Sequence, residues 1–183
     1  MIGWVILGLL ALAVLYCVGI YNSLVSLREN VKNGWSQIDV QLKRRHDLIP
    51  NLVETAKGYM AHERGTLEAV IKARQLAVDA SGLKDRMAAE NALTGTLRSL
   101  FAVAENYPNL KADAQMRQIH EELTSTENKI AFARQYYNDE VNRLNVAVQS
   151  FPQNFVAQMG GFSKADFFEI KDAAEKDVPQ VKF

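Results

Sequence analysis

The chain has 183 residues, room for one ordinary domain and an appendage. Its 21 Lys and Arg side chains balance 21 Asp and Glu, so the formal net charge is zero. No basic excess exists to release counterions from phosphate, which excludes nucleic acid as a main partner. A single cysteine, Cys17, excludes an intrachain disulfide and a cysteine-based metal site.

Residues 2–21, from Ile2 to Tyr21, carry no charge and no amide side chain, and the first charged side chain is Arg28. A transmembrane helix needs roughly 20 apolar residues to cross about 30 Å of hydrocarbon. This run meets that length, so residues 1–22 are expected to be a transmembrane anchor in contact with the lipid bilayer through residues 2–21. A cleaved secretory signal is disfavoured, because no Lys or Arg precedes the run and the run exceeds a usual signal core. Tyr16 stands before Cys17 where a lipid-modification site has Gly, Ala or Ser. Five basic side chains (Arg28, Lys32, Lys43, Arg44, Arg45) follow the run within 28–47. The positive-inside rule then places the C-terminal domain in the cytoplasm.

Beyond the anchor the pattern is helical. Leu24, Leu27, Val31, Trp35, Ile38, Leu42 and Arg45 are spaced by three or four, weakened only by Gly34, which costs about 1 kcal/mol in a helix. The membrane helix is therefore expected to continue to Asp47, a rod about 69 Å long. Pro50 predicts an interruption, with Asp47 as N-cap of a second helix through Leu52, Ala56, Tyr59, Leu67, Val70, Ala77 and Val78. Ser81-Gly82 signals a turn. A third helix is predicted over 83–106, ended by Tyr107-Pro108-Asn109. The fourth carries Met116, Ile119, Leu123, Thr126, Ile130, Ala133, Tyr137, Glu140, Leu144, Ala147 and Phe151, a bundle or coiled-coil stripe. Pro152 stops or kinks it. In the tail, Ser163 with Asp166 suggests a short helix start. The expected fold is all-α: the N-terminal transmembrane helix continues into an antiparallel up-and-down four-helix bundle over 23–152, followed by a short C-terminal tail, 153–183.

The chemistry is sparse. The residues three before His46, His62 and His120 are Lys43, Tyr59 and Arg117, so no Glu-x-x-His pair exists and no metal or other cofactor is expected. There is no Gly-rich phosphate loop, no Gly-x-Ser-x-Gly and no Cys/His dyad; no catalytic residue is assigned and an ordinary enzyme is disfavoured. Two polar clusters interrupt the apolar stripes, one around residues 43–52 and one around Glu127-Asn128 with Arg134, Tyr136, Tyr137 and Asn138. From these, Arg44, Arg45, Asp47, Glu127, Arg134 and Asn138 are candidates for an inter-helical polar network that fixes register, or for a partner site. The network is the favoured reading.

Several segments resemble the LemA family. They are Tyr21-Asn22-Ser23-Leu24-Val25, Trp35-Ser36-Gln37-Ile38-Asp39-Val40-Gln41-Leu42 and Arg44-Arg45-His46-Asp47-Leu48-Ile49-Pro50-Asn51-Leu52-Val53. Glu105-Asn106-Tyr107-Pro108-Asn109-Leu110-Lys111, Glu127-Asn128-Lys129-Ile130-Ala131 and Ala133-Arg134-Gln135-Tyr136-Tyr137-Asn138 belong with them. The ending, Phe151-Pro152, Phe167-Phe168-Glu169 and a final Phe183, fits too. The resemblance covers nearly the whole chain and implies a bacterial single-pass membrane protein with a four-helix bundle and no agreed catalytic activity. The expected function is a non-enzymatic scaffold or adaptor at the bacterial plasma membrane. It is expected to self-assemble as a homo-oligomer, with an unidentified membrane protein as a further partner. The alternatives are a membrane-shaping oligomer and, behind it, a ligand- or metal-binding bundle.

Overall fold

A computed structural model describes residues 1–168. Among them every regular element is a helix: α1 (Ile2–Lys57), α2 (Arg64–Asp79), α3 (Leu83–Ala104), α4 (Pro108–Ala112), α5 (Ala114–Gln149) and α6 (Gln153–Met159). Glu169 and Phe183 of the family-like ending lie outside the described residues.

The apolar run forms the first part of α1, and its side chains from Ile2 to Val18 are exposed. This helix is long and apolar enough to cross a membrane. It does not stop near Asp47. Pro50 sits inside it, and the helix continues to Lys57. The expectation of a break at Pro50 and of an N-cap at Asp47 is therefore corrected: both are exposed helix-interior residues. The reason is packing. A mid-helix proline costs about 3 kcal/mol. Around it Ile49, Leu52, Val53 and Ala56 are all buried, and each large aliphatic among them contributes about 1.5–3 kcal/mol. Burial on one face outweighs the lost hydrogen bond on the other. The helix ends instead at Gly58, where Tyr59 and Met60 both donate their amides to the Ala56 carbonyl.

Two compact units form. The first comprises Met1–Leu42 with Glu127–Phe167. In it α1 and α5 are antiparallel: Leu24 shares an apolar cluster with Ala147, Asn30 Nδ2 donates to Glu140 Oε2 (3.2 Å), and Gly34 abuts Tyr137. Gly34 has a structural reason. A Cβ there would lie 3.2 Å from the Tyr137 Cα, so the missing side chain lets the two backbones approach. Trp35 meets the edge of the Tyr137 ring at 5.9 Å.

After α5 the Phe151-Pro152 peptide is cis, and α6 follows directly. The short helix expected from Ser163 does not form: residues 163–168 are non-helical, and the helix lies earlier, at Gln153–Met159. The difference has a local cause. Gly161, at φ +69°, and Phe162 close α6 by donating to the carbonyls of Gln158 and Ala157, a C-terminal cap that only glycine adopts without strain. The segment beyond is then held by side chains. Asn145 Nδ2 donates to the Ala165 carbonyl (2.9 Å) and Asn145 Oδ1 accepts from the Ala165 amide (2.8 Å). The Tyr137 hydroxyl donates to the Asp166 carbonyl. With its backbone satisfied this way, the segment has no need of helical hydrogen bonds.

The second unit comprises Lys43–Thr126 with Phe168. Its apolar core takes residues from α1 (Ile49, Leu52), α2 (Leu67, Val70), α3 (Leu93, Leu97, Leu100), α4 (Leu110) and α5 (Met116, Ile119, Leu123). Gly82, at φ +87°, turns the chain from α2 into α3 as the Ser81-Gly82 pair predicts. Pro108 opens α4, and Asp113 Oδ1 accepts the Met116 amide at the start of α5.

Replacing Pro50 by Ala should stabilise the protein by about 2 kcal/mol, since helix geometry is already in place and a hydrogen bond is regained. Thermal unfolding of the full chain in detergent reads this as a raised Tm; a lower Tm would contradict the account of α1.

Candidate functional site

The densest polar cluster lies inside the second unit and begins with Arg45. That residue continues the α1 stripe of Ile38, Leu42, Ile49 and Leu52, so its guanidinium points into the core, where its side chain is fully buried. It is met there by Glu90, equally buried, on the α3 stripe of Met87, Leu93 and Leu97. Arg45 Nη2 donates to Glu90 Oε2 and, at 3.3 Å, to the Glu90 carbonyl. Arg45 Nη1 donates to Thr94 Oγ1 at 2.8 Å, and Thr94 Oγ1 donates in turn to the Glu90 carbonyl. His46 Nε2 stands 2.9 Å from the second carboxylate oxygen, Oε1, at ion-pair distance but outside hydrogen-bond geometry. The His46 carbonyl accepts from Arg74 Nε at 2.7 Å, which brings α2 into the same cluster.

Burial pushes the Glu90 carboxyl up. The close approach of His46 and the charge of Arg45 act the other way and prevail, holding it below the usual carboxylate range. Glu90 is therefore an anion in the core with a cation against it. Two buried charges are expensive to desolvate, and removing one partner leaves the other uncompensated in the core.

The sequence-derived candidates are distributed as follows. Arg45 is at the centre of the cluster. Arg44, one residue away, is half-exposed and 3.8 Å from Glu122, a surface pair worth little. Asp47 is exposed. Glu127, Arg134 and Asn138 are partly buried on α5 and belong to the first unit. Glu90, Thr94 and Arg74 were not anticipated. The available signal for Glu90 was its place on the stripe of Met87, Leu93 and Leu97, where a charge is out of character. His46 is adjacent to Arg45, and neighbours on a helix point about 100° apart. Both still reach one carboxylate, because each approaches a different oxygen.

The arrangement holds opposite charges against one another in the core. Among the described residues no group of three or more His, Cys, Asp or Glu could hold a metal ion. A pocket of about 230 Å³ lies elsewhere in the unit, lined by Phe101, Leu110, Met116, Arg117 and His120 among others, and includes none of the cluster. The His120 ring stands edge-on to Phe101 at 4.4 Å.

A helical protein with an apolar, membrane-length first helix and a buried ionic cluster is the class that fold and site define. Within that class, the model of the LemA family matches residues 34–183, and the chain belongs to the LemA family. Magnetosome protein MamQ 2 of Paramagnetospirillum magneticum is 25% identical, over 86% of this chain and 68% of its own length. Magnetosome protein MamQ of Magnetospirillum gryphiswaldense is 24% identical, over 88% of this chain and 70% of its own. Protein LemA of Metamycoplasma hominis is 26% identical, over 88% and 74%.

Two outcomes follow. Arg45→Met alone strands the Glu90 charge and should cost about 3–5 kcal/mol, whereas Arg45→Met with Glu90→Leu should recover most of that loss. A double variant as unstable as the single, by chemical denaturation, would count against a register role. The pH dependence has a definite sign. A carboxyl whose folded value is lowered contributes stability above its unfolded value of about 4.5 and loses it as pH falls through the folded value. The Tm of the native chain should drop below that pH, and part of the drop should vanish in Glu90→Gln; identical profiles would refute the assignment.

Proposed function

We propose that this chain is a single-pass, membrane-anchored helical-bundle protein of the bacterial plasma membrane, acting as a non-enzymatic scaffold or adaptor. In this reading residues 23–152 form an antiparallel four-helix bundle, held in register by polar residues that include Arg45. Arg44, Asp47, Glu127, Arg134 and Asn138 remain candidates for that network or for a partner site. The observation that carries the reading is α1. Its first part is apolar and exposed, and the same helix continues into the folded core. An exposed apolar helix of that length is costly in water and favourable in lipid. The basic residues that follow it, Arg28 and Lys32 first, favour a cytoplasmic C-terminal domain.

Assembly is supported by what the core chemistry is used for. The buried charges are engaged with one another, and none of the names carried by the three relatives is that of an enzyme. Two of those names refer to the magnetosome, a cellular structure and not a reaction. Self-association through helix faces is the mode a bundle of this kind uses most directly.

Alkaline carbonate extraction of native membranes should leave the protein in the pellet. Cross-linking there, followed by mass photometry in detergent, should give species above the monomer. A carbonate-soluble protein would remove the anchor, and a strictly monomeric one without cross-linked partners would remove the scaffold.

A further inference from the structure

The first unit has a tip, and its contacts locate that tip along α1. Tyr137 is level with Gly34, Glu140 with Asn30, and Ala147 with Leu24. At equal rise per residue, α5 therefore ends about level with Asn22, where the apolar run of α1 stops. The returning segment climbs away again. Phe162 packs edge-on to Tyr21 at 5.5 Å, with the Arg28 guanidinium 5.1 Å above its ring. Ala165 is bound to Asn145 and Asp166 to Tyr137. The residues between, 150–161, make the end of the unit on the side of the apolar run.

This tip has two faces. Ala157 of α6 is buried in one cluster with Ile20, Leu24 and Phe162. Phe155 and Met159, four residues apart on α6 and so on one side, point outward at 58% and 90% exposure, and Phe151, just before α6, is 80% exposed. The two phenyl rings stand edge to face at 6.0 Å. No Asp, Glu, Lys, Arg or His occurs between Arg143 and Lys164, nor in α1 before Arg28. Three chain segments leave the tip, and the first charged side chain met on each is Arg28, Arg143 or Lys164. All three are basic and exposed.

We infer that the tip is a second, shallow membrane contact, in which Phe151, Phe155 and Met159 enter the interfacial layer of the leaflet that α1 leaves, with Arg28, Arg143 and Lys164 against its anionic headgroups. The inference rests on reading α1 as the membrane anchor. Lipid is the occupant because the patch lies level with the end of an exposed apolar helix in the same unit. Its charge pattern, an uncharged apolar end bordered by basic residues, matches the order of layers in a bilayer leaflet. Two contacts fix the tilt of the first unit against the bilayer, where one helix alone leaves it free to swing.

The test uses the full chain with Cys17→Ser, carrying one nitroxide label, in phosphatidylcholine–phosphatidylglycerol vesicles. Labels are placed through Leu10→Cys in the anchor, Phe155→Cys or Met159→Cys at the tip, and Gln135→Cys as the control, about 21 Å along α5 from its end. Met159 is almost wholly exposed, so its replacement leaves packing intact. The ratio of collisions with oxygen to collisions with an aqueous nickel chelate should be about fivefold higher at 155 and 159 than at 135, and higher still at 10. Vesicles without phosphatidylglycerol should lower the tip ratio. A lipid-exposed label at 10 with tip labels as wet as 135 overturns the inference and leaves the anchor standing. Tip labels shielded from both reagents overturn it in favour of a protein neighbour. A water-exposed label at 10 removes the anchor and the inference together.

Discussion

One helix carries the rest of the structure. Along α1 the surroundings change: exposed on all sides at first, then buried on one side against α5, then buried against residues of α2, α3 and α5. A helix tolerates such changes because its backbone groups are paired within itself. An end does not, since each terminus leaves four donors or acceptors without partners. A break at residues 20–24 would leave orphan groups beside the apolar cluster in which Ile20 and Leu24 are buried.

Pro50 shows the same priority. Local preference favours a stop, and the residues on the opposite side of the helix override it by burial. Gly34 is a second case. Its intrinsic penalty is repaid by close approach of α1 to α5, which sets the antiparallel register that Asn30 and Glu140 share. Arg45 and Glu90 act differently. Apolar stripes slide past one another at little cost, whereas a buried carboxylate must meet its cation or remain unpaired.

Much of this was legible in periodicity. The apolar run, the Ser81-Gly82 turn, the bounds of α3 and the long stripe of α5 all follow from spacing that a single helix decides for itself. What was not legible depends on partners distant in sequence. Whether Pro50 breaks α1 depends on what Leu52 and Ala56 pack against. The role of Glu90 depends on Arg45, forty-five residues away. The non-helical course of residues 163–168 depends on Asn145 and Tyr137, whose polar groups replace the helical bonds that Ser163 and Asp166 suggest. Asp47, read as a cap, has the right chemistry for one, but no helix begins there.

The family-like segments can now be read in physical terms. In the run from Arg44 to Val53, Arg45 and His46 turn to Glu90, while Ile49, Leu52 and Val53 enter the core. Trp35 meets Tyr137, which in turn holds Asp166. Tyr107 donates to Glu63, Pro108 starts α4 and Leu110 is buried. Beside these contacts the chain has exposed faces. Those faces include two apolar features in the first unit, the free part of α1 and the outer side of α6. Both are uncharged, and both lie where the chain first leaves, or comes back to, the level of residues 20–24. Apolar surface gathered at one end of a unit has a direction, and a direction is what a protein held at a membrane needs in order to present its remaining surface the same way in every copy.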